Sequence, residues 1–164
     1  MASIPAAART LTSRAPEETF ALGECLAGVA KPGDLLCLWG DLGAGKTIFA
    51  KGYGRGLGVA GTISSPSFIL MAEYPARLRL FHIDLYRLAN ASEAVLGGLL
   101  DERQAEGVTV VEWPDRLGPA LPAQRLDVEI GGTGDEPRSI RLVAGTPDLE
   151  RYLSAAGAAG ATDR

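Results

Sequence analysis

Gly40-Asp41-Leu42-Gly43-Ala44-Gly45-Lys46-Thr47 constrains this chain more than any other stretch. Its spacing is G-x-x-x-x-G-K-[ST], that of a phosphate-binding P-loop. Glycines let the backbone curl so that successive N–H groups point inward and form a nest for an anion. Lys46 is then placed to reach the β- and γ-phosphates, and the Thr47 hydroxyl to ligate Mg²⁺. The start of the following helix adds partial positive charge at the same place. The nucleotide-binding set expected from the motif is Asp41, Leu42, Gly43, Ala44, Gly45, Lys46, Thr47 and Ile48.

The flanking residues supply the setting that such a loop needs. Leu35-Leu36-Cys37-Leu38-Trp39 is a continuous apolar run, as in a strand buried on both faces of a parallel sheet. After the loop, Ile48, Phe49, Gly52, Tyr53, Gly56 and Leu57 fall on one helical face, with Lys51 and Arg55 opposite. A glycine-rich turn with an exposed lysine would carry the same letters without this strand–loop–helix frame.

With 164 residues the chain suits one P-loop domain over residues 1–153, followed by an Ala/Gly-rich tail over 154–164 that is expected to be disordered. A composition of 46% hydrophobic and 22% charged residues belongs to a soluble globular class. Net charge is −4, so the overall basic field of a stand-alone nucleic-acid binder is missing. Cys25 and Cys37 both sit in apolar patterns and read as small core residues in a reducing compartment. No run reaches the ~18 apolar residues of a membrane span, and the N-terminus lacks the apolar core of a signal peptide. The expected location is cytoplasmic.

In chain order, Thr10–Thr12 suggests a short edge strand, and a helix opens at Pro16 with Glu17 and Glu18 in its first turn and Ser13 as an upstream cap. Leu22, Cys25, Leu26 and Val29 give that helix an apolar face. Residues 67–74 and 78–84 read as a hairpin across Pro75-Ala76, where a plain P-loop core would insert a crossover helix. Asn90-Ala91-Ser92 offers caps for a helix around 93–104. Val108–Trp113 is an apolar strand ended by Pro114. Leu126, Val128 and Ile130 alternate with charged residues and pair with a return strand over 139–143. A short helix over 147–153 closes the pattern. The fold class is α/β: a P-loop NTPase-like three-layer sandwich with a central mixed sheet that includes antiparallel hairpins.

Two acids end apolar strands, Asp84 after Leu80–Ile83 and Glu112 after Val108–Val111. Ligands of open α/β sheets gather beyond the carboxyl ends of the parallel strands. Glu112 is at the right edge if its strand runs with the P-loop strand, and Asp84 only if its hairpin strand has the same direction. Lys46, Asp84 and Glu112 are the candidate catalytic residues, and Thr47, Asp84 and Glu112 the candidate metal ligands. Ser64, Ser65 and Ser67 suit a loop that senses γ-phosphate or metal, or simply turn chemistry around Pro66. His82, the chain's single histidine, shares a face with Asp84 and reads either as a structural core residue or as part of the site. Arg87 reads as a phosphate contact or a surface ion pair, and Trp113 as core or site flank.

Taken together, the P-loop, Ser65-Pro66-Ser67-Phe68, His82-Ile83-Asp84-Leu85-Tyr86-Arg87-Leu88 and Glu112-Trp113-Pro114 closely resemble the bacterial TsaE (YjeE) family over roughly residues 10–145. The resemblance implies an ATPase, using ATP and Mg²⁺, in biosynthesis of threonylcarbamoyladenosine at position 37 of tRNA. It implies a protein that joins a TsaB–TsaD pair, meets tRNA only through that complex, and supports repeated turnover without itself transferring the threonylcarbamoyl group. By motif, Asp84 falls in the metal shell, Glu112 is the acid of the Glu-Trp motif, and 65–68 is a switch-like segment. Ser67 stands where the family usually has threonine, and Ile48 where a second threonine is common. A small-molecule kinase is the contrasting class, but the segment between Glu112 and Arg125 is short for an arginine-bearing lid. A nucleotide-gated binding module that scarcely hydrolyses ATP alone is the other.

Overall fold

The computed structural model describes residues 5–64, 71–87, 102–159 and 162–163. Its frame is one mixed sheet in the order β3-β4-β5-β2-β6-β7-β1-β8. The strands are β1 (Ala8–Ser13), β2 (Leu35–Trp39), β3 (Met71–Tyr74), β4 (Leu80–Asp84), β5 (Val108–Glu112), β6 (Leu126–Gly131), β7 (Arg138–Ala144) and the two-residue β8 (Thr162–Asp163). At the centre, β4, β5, β2 and β6 are parallel. β3 joins β4, and β7 joins β6, as antiparallel hairpins.

Burial follows composition. The apolar runs of β2 and β5 lie at the middle of the sheet, and every residue of β5 is buried, including Thr109 and Glu112. In β6 the alternation holds: Leu126, Val128 and Ile130 are buried while Asp127 and Glu129 are part-exposed. Helices α1 (Pro16–Leu26), α2 (Lys46–Leu57) and α3 (Glu150–Ala158) cover one face, sharing a cluster that includes Leu22, Leu26, Phe49, Tyr53, Tyr152 and Leu153 with Leu36, Leu38, Val110 and Val128 of the sheet. The opposite face carries a smaller cluster of Leu35, Cys37, Ile83, Leu85, Val111 and Leu117, with the 3-10 segment Pro114–Ala120 over it.

α1 and α2 approach unusually closely, which explains two of the three glycines that weaken α2, while the third, Gly54, packs against Ile63 and Leu80. A Cβ on Gly52 would lie 2.0 Å from the Phe20 carbonyl oxygen, and one on Gly56 2.3 Å from that of Glu24. The P-loop helix is thereby locked onto α1.

Several expectations shift. β1 is no edge strand: it runs from Ala8 to Ser13 between β7 and β8, because Leu11 packs into the core and both of its edges find partners. Ser13 does not cap α1; the N-cap is Ala15, and the Ser13 hydroxyl bonds the Ala15 carbonyl (3.0 Å) and Thr19 Oγ1 (2.7 Å). Glu18 instead accepts the Arg14 N–H at 2.7 Å. The stretch from Ser154, expected to be disordered, continues α3 to Ala158, since Ala156 is fully buried against the core. The helix expected around 93–104 falls largely outside the described residues, which hold only a 3-10 segment, Glu102–Glu106. Ser65, Ser67 and Phe68 also lie outside them.

Candidate functional site

The P-loop follows β2, whose neighbours β5 and β6 lead into opposite halves of the sheet, so the loop opens at a topological switch point. β4 runs parallel to β5 with Asp84 level with Glu112, and Glu112 is level with Leu38 of β2. The direction that Asp84 required is therefore met, and both acids reach the rim where the loop begins. The Leu85 N–H donates to the Glu112 carbonyl at 3.1 Å and ties the two strand ends together.

The loop turns through left-handed backbone at Gly43 (φ 82°) and Gly45 (φ 113°), conformations that favour glycine. Gly45 is the N-cap of α2 and supplies no side-chain cap, so the first turn of that helix keeps backbone N–H groups directed out of its end. Ala44 is buried, and its N–H closes a turn on the Asp41 carbonyl at 3.0 Å. Asp41 and Leu42 are exposed, Leu42 at 71%.

Lys46 folds over its own loop. Its Nζ donates to the carbonyls of Gly40 (2.5 Å) and Asp41 (3.0 Å) and lies 4.0 Å from the centre of the Trp113 ring. Burial pushes the Lys46 ammonium below its usual range, while Glu112, Asp84, Asp41 and Asp115 pull the other way. The Thr47 hydroxyl lies 2.9 and 3.2 Å from the two oxygens of Glu112, and His82 Nε2 is 2.6 Å from Glu112 Oε2. Asp84 is half-buried and accepts the Tyr86 N–H at 2.9 Å, a local turn that aims its carboxylate. Thr47, Glu112 and His82 thus form one hydrogen-bonded chain from α2 through β5 to β4, with Asp84 level with Glu112 on the neighbouring strand.

Trp113 lies against Lys46, one of the two places its sequence allowed, and motif reading misses a further neighbour, Arg138. Trp113 adopts φ 61°, ψ 51°, and is the one non-glycine residue with positive φ among the described residues. This strained turn directly after Glu112 is what carries the indole ring over Lys46, with the Tyr86 ring tilted against it at 45°, 5.0 Å between centroids. Arg138, at the start of β7, donates to the Ala44 carbonyl (3.0 Å), to Gly43 (3.4 Å), and to Glu136 (2.6 Å) and Gly134 (3.0 Å) of the β6–β7 turn. No local signal marks it as a P-loop neighbour, because its partners in that loop lie 94 and 95 residues away. Beside it a cleft of ≈ 230 Å³ opens between Gly43–Gly45 and Ile48, the Ser13–Thr19 turn and the β6–β7 turn.

The family model for threonylcarbamoyl adenosine biosynthesis protein TsaE matches residues 13–140. The chain belongs to the TsaE family. Among relatives, the tRNA threonylcarbamoyladenosine biosynthesis protein TsaE of Bacillus subtilis is 44% identical over 130 residues, covering 79% of this chain and 81% of its own length. The TsaE of Treponema pallidum is 36% identical over 130 residues, covering 79% and 96%. The crystal structure of YdiB from Bacillus subtilis superposes with a TM-score of 0.74 at 36% identity, over 95% of this chain and 98% of that one. The TsaE match spans the P-loop, both strand-end acids, Trp113 and Arg138 but stops before α3.

Proposed function

We propose that this chain binds ATP at Gly40–Thr47 and hydrolyses it in support of tRNA threonylcarbamoyladenosine formation, acting with a TsaB–TsaD complex and reaching tRNA only through it. The observation that carries the reading is the hydrogen-bonded chain from Thr47 at the start of α2 to the strand-end acid Glu112, with Asp84 level with it on the same rim. A P-loop alone would serve many chemistries; a hydroxyl bonded to one strand-end acid, with a second acid level with it on the neighbouring strand, favours a metal-assisted phosphoryl site.

The donor set fits Mg²⁺. A hydroxyl and carboxylates are hard oxygen ligands, and Mg²⁺ is commonly held by one or two carboxylates together with substrate phosphates. Among the described residues no three His, Cys, Asp or Glu side chains are grouped so as to hold a metal ion by themselves. Thr47, Asp84 and Glu112 would hold it, and the ion would neutralise charge on the phosphate oxygens. Lys46 leaves its two loop carbonyls for the β- and γ-phosphates, a move over a short distance because it already lies across the loop. N–H groups from Asp41 to Ile48 surround the phosphates. Glu112 is buried beside Thr47 and serves to orient the attacking water. The cleft beside Arg138 has room for the nucleoside end. Among the described residues no helix is long and apolar enough to cross a membrane, and we assign the protein to the cytoplasm, where tRNA is modified.

The test is a tRNA-modification assay with limiting TsaD, run with the wild-type chain and with Lys46→Ala. The wild type should permit many turnovers and Lys46→Ala should stop near one; many turnovers with Lys46→Ala would refute the ATPase role. ATP hydrolysis that is slow in isolation should rise when TsaB–TsaD is added. No rise would favour a binding switch instead.

A further inference from the structure

His82 contributes its full side chain to the interior, with 0% exposure, from the middle of β4. Nε2 lies 2.6 Å from Glu112 Oε2, while Nδ1 is buried and meets no hydrogen-bond partner among the described residues. These two facts distinguish the ring's two ends. A proton on Nδ1 would be a buried donor with nothing to accept it, which is costly, whereas a bare acceptor there is better tolerated. A proton on Nε2 has a carboxylate oxygen in front of it.

The other partner of Glu112 does not orient it. The Thr47 hydroxyl straddles both oxygens, at 2.9 and 3.2 Å, and leaves the flat carboxylate torsion loosely defined. A glutamate reaches the site through three rotatable bonds, so a single shared hydroxyl leaves freedom that a fixed ring nitrogen removes. The imidazole is itself held by the pleat of β4, between Ala72 of β3 and Val110 of β5 in the register.

We infer that His82 is a positioning residue for Glu112: its Nε2–H binds Oε2 and leaves Oε1 turned toward the P-loop mouth. It acts through Glu112 and touches no reacting group. The inference rests on the reading of Glu112 as the water-orienting acid, and it deepens that reading by assigning the chain's single histidine.

That single histidine makes the test direct. In untagged, ¹⁵N-labelled protein, long-range ¹H–¹⁵N correlation of the one imidazole should show the proton on Nε2 and Nδ1 bare. Glu112→Gln should shift the Nε2 proton resonance. A proton on Nδ1, or a ring that averages between tautomers, overturns the inference. Kinetics then separate positioning from packing. His82→Leu should bind a non-hydrolysable ATP analogue within about threefold of wild type yet lose roughly tenfold or more in kcat. His82→Gln, whose amide can donate to the same oxygen, should recover most of that loss. Unchanged kcat in a folded His82→Leu overturns the inference; if that variant does not fold, a folded His82→Gln with no more activity than Glu112→Gln overturns it instead. A chain without ATP turnover even beside TsaB–TsaD would refute the ATPase reading and this role with it, and the Nε2–H tautomer would then report a structural bond only.

Discussion

Arg138 spends its guanidinium on four backbone carbonyls, two in the P-loop and two in the β6–β7 turn. Holding the Ala44 carbonyl outward turns the Gly45 N–H, on the opposite edge of that peptide, inward toward an anion, while the Ala44 N–H closes the loop on the Asp41 carbonyl. Arg138→Ala should therefore weaken ATP-analogue binding by about 1–2 kcal/mol, roughly tenfold, in calorimetric titration, with a smaller effect on unfolding. Cys37 shows a different kind of residue-scale effect. Burial, assisted by Asp127 and opposed by Arg125, pushes its thiol from 9.0 up to about 12. The unfolded chain therefore loses this proton first. Stability from this group is intact below pH 9 and falls as pH rises from 9 to 12, at ~1.4 kcal/mol per unit. Urea unfolding at pH 8 and pH 10.5 should show a loss that shrinks by about 2 kcal/mol in Cys37→Ala.

At the scale of elements, the P-loop helix depends on its neighbour more than on its own propensity. Gly52 and Gly56 let α1 press against α2 until backbone meets backbone, and that contact sets where Lys46 and Thr47 begin. Adding one methyl at Gly52 would improve helix propensity by ~1 kcal/mol, but the Phe20 carbonyl cannot yield as a flexible side chain would. Gly52→Ala should consequently destabilise the protein by roughly 1–3 kcal/mol net, read as a lower urea midpoint, and should weaken nucleotide binding as the helix is displaced. The β4–β5 pair works similarly for the acids. Parallel register brings Asp84 and Glu112 level, and the strained Trp113 turn then redirects the chain so that an aromatic ring covers Lys46.

Across the whole molecule, the end of the sheet opposite the P-loop is closed by a buried polar network. Asp34, just before β2, accepts from the Lys31 N–H (2.9 Å), from the Arg151 guanidinium and from the Tyr152 hydroxyl (2.5 Å). Since Tyr152 gives its proton to Asp34, Tyr53 donates in turn to the Tyr152 oxygen at 2.8 Å. The network therefore joins β2, α2 and α3, and burial beside Asp34 and Tyr53 pushes the Tyr152 phenol upward. Tyr152→Phe leaves Asp34 and Tyr53 each short of a buried partner and should cost about 1–3 kcal/mol in chemical denaturation. Because Tyr53 stands on the P-loop helix, the same variant tests whether α3, which lies beyond the family match, supports the nucleotide end; an unchanged affinity for the ATP analogue would confine it to stability.

Local chemistry in the chain was enough to determine the strand–loop–helix around Lys46, the two hairpins, and the strands ending in Asp84 and Glu112. Phosphate loops, turns and alternating burial are written into residues close together in sequence, and so were the motifs that identified the family. Tertiary structure alone decided the direction of β4, the place of β1 between β7 and β8, and the continuation of α3 through a stretch whose alanines and glycines look unstructured until Ala156 is buried. It also chose the partner of His82, which neither strand pattern nor shared facing with Asp84 could name, and brought Arg138 to the loop. These depend on contacts between residues 28 (Leu80 and Val108) to 152 (Leu11 and Asp163) positions apart. Such contacts arise when apolar faces are buried together, and no short-range periodicity encodes which faces those are.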